Sequence, residues 1–218
     1  MIFEDRRDAG RALAGVIKAA CKWEDAIVLG LPRGGVPVAF EVARELSLPL
    51  DILVVRKLGV PGQEELAMGA IASGGTLVIN QIVVHELGIS LETIEQVAER
   101  ERSEIERREQ AYRNGRPPAV IEGHTAILID DGLATGSSML AAARSLRPRA
   151  RKVIVAVPVA AESTCEQLRH EVDQVICAAT PEPFFAVGRF YRNFEQTSDQ
   201  EVRTLLSQAR REFGSRAA

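Results

Sequence analysis

The chain has few of the residues that mark disulfide-rich or zinc-binding proteins. It contains three cysteines, one tryptophan and two tyrosines in 218 residues, and aromatic residues make up only 5% of the sequence. The cysteines, Cys21, Cys165 and Cys177, are odd in number and lack the spacing of metal ligands. We therefore expect reduced thiols in the core or at the surface rather than a disulfide framework.

A large net charge and a long apolar run are also missing. Lys and Arg together number 27 against 30 for Asp and Glu, so the formal net charge is -3 and gives no basic field for a nucleic-acid partner. The charged amino terminus, residues 1–7, is not followed by an apolar segment of signal or membrane length. These absences predict a cytoplasmic protein that binds neither membranes nor nucleic acid.

What the sequence does contain predicts one α/β domain over residues 1–218. With 46% hydrophobic residues, the chain can bury one good core. Short apolar segments alternate with helical patterns, which favours a parallel sheet with right-handed crossovers and a ligand at the carboxyl ends of the strands. The predicted strands are 26–31, 51–55, 76–84, 126–129, 152–158 and 174–178, and the predicted helices are 8–20, 38–46, 90–113, 138–146, 163–171 and 198–213.

The segment from Ala126 to Met139 has the most specific pattern. Four apolar residues lead into Asp130 and Asp131, and small and hydroxyl residues then open an alanine-rich helical pattern. Two carboxylates at a strand end suit a vicinal diol or the water shell of a divalent metal. The loop and helix N-terminus suit a phosphate. An ordinary turn with Ser137 as helix cap is the alternative, but the pattern exceeds what a cap requires and favours a sugar phosphate.

This pattern resembles the phosphoribosyl pyrophosphate signature of the type I phosphoribosyltransferases: an apolar strand, two acidic residues and a Thr-Gly-x-Ser/Thr phosphate loop. The resemblance implies that Asp130 and Asp131 hold the ribose hydroxyls and, through water or substrate, a metal ion. It implies that the 5-phosphate is bound by Leu133, Ala134, Thr135, Gly136, Ser137 and Ser138. Together with Pro-Arg-Gly-Gly, the motif is most similar to uncharacterised phosphoribosyltransferase-like proteins.

The fold implied by the resemblance is a doubly wound parallel sheet with three additions. These are a flexible loop over 57–75, a helical insertion over 90–115, and a small hood with a C-terminal helix over 180–218. Glu and Arg recur at three- and four-residue spacings in the insertion, which is typical of a helix with surface ion pairs. We expect that helix to face the flexible loop or the partner subunit of a homodimer.

A glycine-rich loop follows the first predicted strand. Arg33 offers a permanent cation, and Gly34 and Gly35 let the backbone approach a ligand closely. Alone, this pattern is typical of an ordinary turn. Because the family has its pyrophosphate loop in this place, the resemblance implies that these three residues hold pyrophosphate, and we predict a strained or cis peptide at Arg33–Gly34.

A basic pair, Arg56 and Lys57, follows the second predicted strand. The pair resembles the basic residues at the root of the family's flexible catalytic loop, which implies a catalytic role through contacts to the pyrophosphate leaving group. Glu65 is a candidate for orienting Lys57 or a metal-bound water. The alternative is a solvated charge pair at a strand edge.

The carboxyl-terminal segment concentrates aromatic residues. Phe184, Phe185 and Tyr191 are the candidates for a hood over the acceptor, since many members of the family cover the acceptor base with an aromatic side chain near the carboxyl end. The alternative, of equal weight, is that the cluster fastens the last helix to the body of the protein.

The implied reaction transfers ribose 5-phosphate from phosphoribosyl pyrophosphate to a small nitrogen acceptor, with Mg²⁺ and release of pyrophosphate. The family's purine salvage members often carry an acid just before the Thr-Gly pair, where this chain has Ala134. The usual proton acceptor is thus missing, and a nucleobase or another amine remains open as the acceptor. The alternatives are a non-catalytic regulatory protein that senses phosphoribosyl pyrophosphate and a different phosphate-ester enzyme on the same fold.

Overall fold

Five parallel strands form the central sheet of the computed structural model, which describes residues 2–20, 23 and 25–213. The strands lie in the order β2-β1-β6-β7-β8, and three antiparallel strands, β3-β4-β5, form a second sheet. The strands are β1 (Ala26–Gly30), β2 (Leu50–Ile52), β3 (Val55–Val60), β4 (Gln63–Ala72), β5 (Leu77–Ile79), β6 (Thr125–Ile129), β7 (Lys152–Val159) and β8 (Gln174–Ala179). The helices are α1 (Arg6–Ala20), α2 (Gly35–Leu46), α3 (Gln81–Glu86), α4 (Leu91–Arg113), α5 (Ser137–Leu146), α6 (Glu162–Arg169) and α7 (Asp199–Phe213), with a 3-10 turn at Val187–Phe190.

The central sheet is covered on both faces, as the predicted doubly wound fold requires. Strand β6 is buried along its whole length, and its side chains alternate between two hydrophobic clusters. Ile127 and Ile129 join the cluster that includes α1, α2 and α7, while Leu128 joins the cluster that includes α5 and α6. Gly30 of β1 pairs with Ile129 of β6, so these strands end side by side at one edge of the sheet. The residues that follow them must therefore meet there.

The segment 57–75, predicted to be a flexible loop, folds mostly as the hairpin of β3 and β4. The strands turn at Pro61 and Gly62, where Gly62 adopts a φ of 80° that disfavours side chains. The hairpin packs against α4 and α5, while its tip at residues 61–66 is exposed. Its movement during ligand binding stays a prediction.

The predicted strand 76–84 is wrong beyond Ile79, because the chain turns there into helix α3. The Asn80 side chain accepts a hydrogen bond from the Val83 amide at 3.3 Å and so caps the helix. The β-branched residues of this segment favoured a strand, but the local cap decided the conformation. The second predicted strand is also shorter than expected, since β2 ends at Ile52.

The helical insertion and the C-terminal helix match their predicted positions. Helix α4 begins after Ser90, whose hydroxyl accepts a hydrogen bond from the Thr93 amide at 3.1 Å. Its buried side chains, which include Ile94 and Ile105, join the same cluster as α7. Each helix in the described part of the chain is too short or too polar to span a bilayer.

Candidate functional site

The loop after β1 and the acidic pair after β6 pack directly against each other. A Cβ atom added to Gly35 would lie 2.6 Å from the Ile129 carbonyl oxygen and 2.8 Å from the Asp130 Cα. A Cβ atom added to Gly34 would overlap the Asp131 carboxylate. Contacts this close are open only to glycine, so the two adjacent glycines explain how the loops come together. The structure thus unites two of the three loops that the sequence singled out.

The backbone of the first loop differs from the prediction in one detail. The cis peptide joins Pro32 to Arg33, one bond before the predicted Arg33–Gly34 bond. The Arg33 side chain makes a long ion pair with Asp199 at the start of α7, with 3.7 Å between Nη1 and Oδ1. Both side chains are at least one-third exposed, and such a pair holds an arginine weakly. Arg33 is therefore available to a ligand.

Asp199 also receives a hydrogen bond from Tyr112 of α4. The Tyr112 hydroxyl donates to Asp199 Oδ1 at 2.7 Å. Burial raises the pKa of Tyr112 to about 12, and the hydrogen bond and the negative charge of Asp199 add to the shift. The phenol thus stays protonated at neutral pH and fixes the carboxylate toward which Arg33 points.

The two carboxylates of the acidic pair are half-buried, and the Asp130 carboxylate is bound by the backbone of Asp131. The Asp131 amide donates to Asp130 Oδ1 at 2.8 Å. Burial raises the pKa of Asp130 well above its usual range, and the neighbouring Asp131 charge raises it further. Burial also raises the pKa of Asp131, although the hydrogen bond and charge of Arg6 oppose this shift. Two acids in a poorly solvated place are costly unless a ligand or a cation compensates them.

Arg6, which the sequence analysis did not identify, supplies part of that compensation. Its Nε donates to Asp131 Oδ2 at 2.8 Å, and its Nη1 donates to the Glu195 carbonyl oxygen at 2.6 Å. The guanidinium also lies 4.0 Å from the centre of the Phe194 ring. Arg6 begins α1, far from Asp131 in the sequence, and a run of charged residues at a chain start gives no signal of such a role.

Replacing Arg6 by Met is expected to lower the free energy of unfolding by about 1–3 kcal/mol, the cost of leaving a half-buried charged group without its partner. Arg11→Met is the matched control on the same helix, because the Arg11 pair with Asp8 is largely exposed and contributes little. Urea unfolding of Arg6→Met, Asp131→Asn and the variant that combines them measures the coupling energy between Arg6 and Asp131. Arg11→Met is unfolded in the same way as the control. Additive losses in the double variant would contradict a direct interaction between Arg6 and Asp131.

The predicted phosphate loop divides into a structural and an exposed part. The Leu133 amide donates to the Val159 carbonyl oxygen at 2.9 Å, and the Leu133 side chain is buried. Leu133 therefore supports the loop, and its amide is already engaged. Gly136 adopts a φ of 69°, and a Cβ there would lie 2.6 Å from Thr164 Cγ2. Helix α5 begins at the next residue without a side-chain cap, so its first amides face outward with Thr135, Ser137 and Ser138 exposed.

Arg56 and Lys57 contact different partners in the structure. They are consecutive on β3, and consecutive side chains of a strand point to opposite faces. Arg56 Nε donates to Glu101 of α4 at 2.8 Å. Lys57 Nζ donates to the Glu65 backbone carbonyl oxygen at 2.8 Å, while the Glu65 carboxylate lies 3.7 Å away. In this conformation the two side chains point away from each other, and their catalytic role stays a prediction.

The three hood candidates lie in different environments. Tyr191 is buried, and its hydroxyl donates to the Asp131 carbonyl oxygen at 2.5 Å. Tyr191 therefore supports the backbone of the acidic pair. Phe184 stacks on Phe190 with ring centres 5.3 Å apart. Phe185 is 69% exposed beside Arg189, which leaves it as the candidate with a free face for an acceptor. The role of these three residues as a hood over the acceptor stays a prediction.

Comparisons with known proteins identify the family of the chain. The model of the family described as "Phosphoribosyl transferase domain" matches residues 61–190, which include the acidic pair and the phosphate loop. A Mycobacterium tuberculosis H37Rv protein, named provisionally as a phosphoribosyl transferase, is 46% identical over 218 residues, which cover 100% of this chain and 49% of that protein. The chain thus spans about half the length of the curated relatives that it matches.

Among solved structures, the crystal structure of TT1426 from Thermus thermophilus is similar over nearly the whole chain. It has a TM-score of 0.84 and 41% identity, and the match covers 95% of this chain and 99% of that one. The matched family region covers more than half of the sequence. As the resemblance to type I phosphoribosyltransferases implied, the chain belongs to the phosphoribosyl transferase domain family.

Proposed function

We propose that this protein is a phosphoribosyltransferase that uses phosphoribosyl pyrophosphate and Mg²⁺ to transfer ribose 5-phosphate to a nitrogen acceptor. The observation that carries the proposal is the backbone contact of Gly34 and Gly35 with Asp130 and Asp131. This contact places a glycine-rich loop with a neighbouring arginine beside two carboxylates and the open end of α5. One ligand with a phosphate, a diol and a second phosphate group matches that set.

Each part of the donor has a matching group in the site. The ribose diol is assigned to the carboxylate oxygens of Asp130 and Asp131 other than Asp131 Oδ2, which accepts the hydrogen bond from Arg6. The 5-phosphate is assigned to the first amides of α5, where the helix dipole favours an anion, and to the hydroxyls of Thr135, Ser137 and Ser138. The pyrophosphate is assigned to the loop at Gly34 and Gly35, with Arg33 as its cation.

The carboxylates also fit a magnesium ion held jointly with the donor. Within the described residues, no group of three or more His, Cys, Asp or Glu side chains could hold a metal by itself. Mg²⁺ needs no such group, since one or two carboxylates, substrate phosphates and water satisfy it. When bound, it would neutralise charge on the pyrophosphate leaving group. Asp130 and Asp131 are the residues that would hold it, through water or through the ribose oxygens.

In the proposed reaction, the acceptor nitrogen forms a bond to the anomeric carbon while the bond from that carbon to pyrophosphate breaks. The transition state has oxocarbenium character, so positioning and charge neutralisation supply most of the rate enhancement. Arg33 would oppose the growing charge on the leaving group. Of the basic pair on β3, only the residue that faces the ligand contributes, because the two side chains point to opposite faces of the strand.

The acceptor side of the site offers no acid at the position before Thr135. Ala134 is exposed there, and its carbonyl oxygen accepts a hydrogen bond from Thr164 at 2.5 Å. An acceptor that needs a carboxylate to take its proton would find none at this position. This observation also favours the second candidate function, a protein that binds phosphoribosyl pyrophosphate without turnover.

Titration calorimetry with phosphoribosyl pyrophosphate, with and without Mg²⁺, tests the proposal. We expect saturable binding that depends on the metal, followed by pyrophosphate release with one member of a panel of nucleobases and amines. Binding without pyrophosphate release across the panel would favour the sensor. A wild-type protein that binds no phosphoribosyl pyrophosphate would contradict both candidates.

A further inference from the structure

Cys165 and Cys177 meet where helix α6 packs on strand β8. Their sulfur atoms are 2.7 Å apart, in hydrogen-bond contact and closer than ordinary packing brings two sulfurs. A disulfide bond requires two sulfurs about 2.0 Å apart and little strain in the connecting backbone. The fold has therefore placed these two side chains where a bond can form with a small movement. The third cysteine of the sequence, Cys21, lies outside the described residues.

The two cysteines differ in their exposure and in their pKa. Cys165 is fully buried, whereas Cys177 is partly exposed to solvent. The hydrogen bond with Cys177 lowers the pKa of Cys165, and the same bond together with burial raises the pKa of Cys177. Of the two sulfurs, that of Cys165 is therefore the one whose thiolate, the form that reacts with oxidants, is favoured.

The helix that carries Cys165 supports the phosphate loop. Thr164, the neighbouring residue, donates its hydroxyl to the Ala134 carbonyl oxygen and packs against Gly136. The start of the same helix is tied to the loop, because the Ala161 amide donates to the Leu133 carbonyl oxygen at 3.1 Å. A movement of α6 toward β8 is consequently transmitted to residues 133–136.

We propose that Cys165 and Cys177 are an oxidation site that forms an intrachain disulfide on reaction with a peroxide and so alters the phosphate loop. In the first step a thiolate attacks a peroxide oxygen, the O–O bond breaks, and hydroxide leaves to take up the thiol proton as water. The second sulfur, now a thiolate, then attacks the sulfur of the sulfenic acid, and the S–O bond breaks. The hydroxide that leaves takes up from the solvent the proton that the first thiol lost on becoming a thiolate, and so forms the second water. Two thiols and one hydrogen peroxide therefore give one disulfide and two waters.

The bond would hold α6 closer to β8 and disturb the hydrogen bond between Thr164 and Ala134. Loss of one such hydrogen bond changes an equilibrium about fivefold. We expect the affinity for phosphoribosyl pyrophosphate to fall by about that factor on oxidation. This consequence rests on the proposed function, whereas formation of the disulfide does not.

Peptide mapping of the full chain after treatment with hydrogen peroxide tests the site. The expected product links Cys165 to Cys177, has lost the mass of two hydrogen atoms, and reverts with dithiothreitol. Cys21→Ser, which removes the third thiol, should keep this product, while Cys177→Ser and Cys165→Ala should each lose it. Absence of the 165–177 link in the oxidised wild type, or a link to Cys21 instead, would overturn the assignment.

Hydrogen exchange of residues 133–140 tests the effect on the loop without any ligand. We expect faster exchange there in the oxidised wild type than in the reduced protein, and no change in Cys177→Ser treated in the same way. Unchanged exchange in a protein with the mapped disulfide would overturn the coupling. If the reduced protein fails to bind phosphoribosyl pyrophosphate, the proposed function fails, while mapping and exchange still decide the oxidation site.

Discussion

Asp130→Asn is expected to weaken binding of phosphoribosyl pyrophosphate by ~100-fold or more, since hydrogen bonds to a charged group contribute about 1.5–3 kcal/mol each. The change keeps the shape of the side chain and removes the charge that the ribose hydroxyls and the metal would use. Folding should not suffer, because Asp130 is half-buried next to another acid and its pKa is raised. We expect the free energy of unfolding to stay unchanged or to rise. Calorimetry and urea unfolding measure the two quantities separately.

Asp131→Asn provides the contrast within the same pair. This residue receives the Arg6 hydrogen bond, so its replacement should cost stability as well as binding. If both variants lose stability equally, or if Asp130→Asn still binds the donor with wild-type affinity, the assignment of Asp130 to the ligand is wrong. The difference in stability between Asp130→Asn and Asp131→Asn thus distinguishes Asp130, which binds only the ligand, from Asp131, which also stabilises the fold.

The pH dependence gives a further check on Asp130. The pKa of the Asp130 carboxyl group is higher in the folded protein than in the unfolded chain. Its contribution to the free energy of unfolding is therefore fully present below the unfolded-state pKa, and it is lost as the pH rises through the folded-state pKa. The stability of the wild type relative to Asp130→Asn should therefore fall as the pH rises above about 4 toward neutrality. Donor affinity should change in the opposite direction, because only the charged carboxylate accepts both hydroxyls.

The sequence predicted those parts of the site that local pattern determines. Asp130 and Asp131 follow a fully apolar strand, and Gly34 and Gly35 follow another, so their place at one sheet edge follows from parallel topology. The close approach of the two loops needs no more than the absence of two Cβ atoms. These features depend on residue type and order, which a sequence displays directly.

Features that depend on distant partners could not be predicted. Arg6 and Asp131 lie 125 residues apart in the sequence. An arginine within a run of charged residues gives no sign that it is bound to a distant carboxylate rather than to water. Tyr191 was recognised as an aromatic near the site, but its hydroxyl partner is a backbone carbonyl that only the packing of Phe3 and Phe194 determines. The sequence pattern also does not display the strand conformation of Arg56 and Lys57, which separates the two side chains.

Gly35→Ala is expected to separate the two loops and so to damage both stability and binding. Gly35 is buried at the start of α2, and the new methyl group would press on the backbone of Ile129 and Asp130, which cannot rotate away as a side chain can. Overpacking of this kind costs about 1–3 kcal/mol. Because the glycine loop must move from the acids, we also expect donor binding to fall by at least ~10-fold, which corresponds to about 1.4 kcal/mol.

Gly15→Ala is the matched control, since Gly15 is exposed on α1 and an added Cβ meets no atom within 4 Å. Alanine in a helix interior should stabilise the protein by about 0.5–1 kcal/mol there. Thermal unfolding and calorimetry at a temperature where both variants are folded separate the two effects. A Gly35→Ala variant that binds the donor like the wild type would show that the contact between the loops is not needed for the ligand. Loss of binding with only a modest loss of stability would instead tie the ligand to that contact, because a folded protein would then have lost only the junction between its two loops.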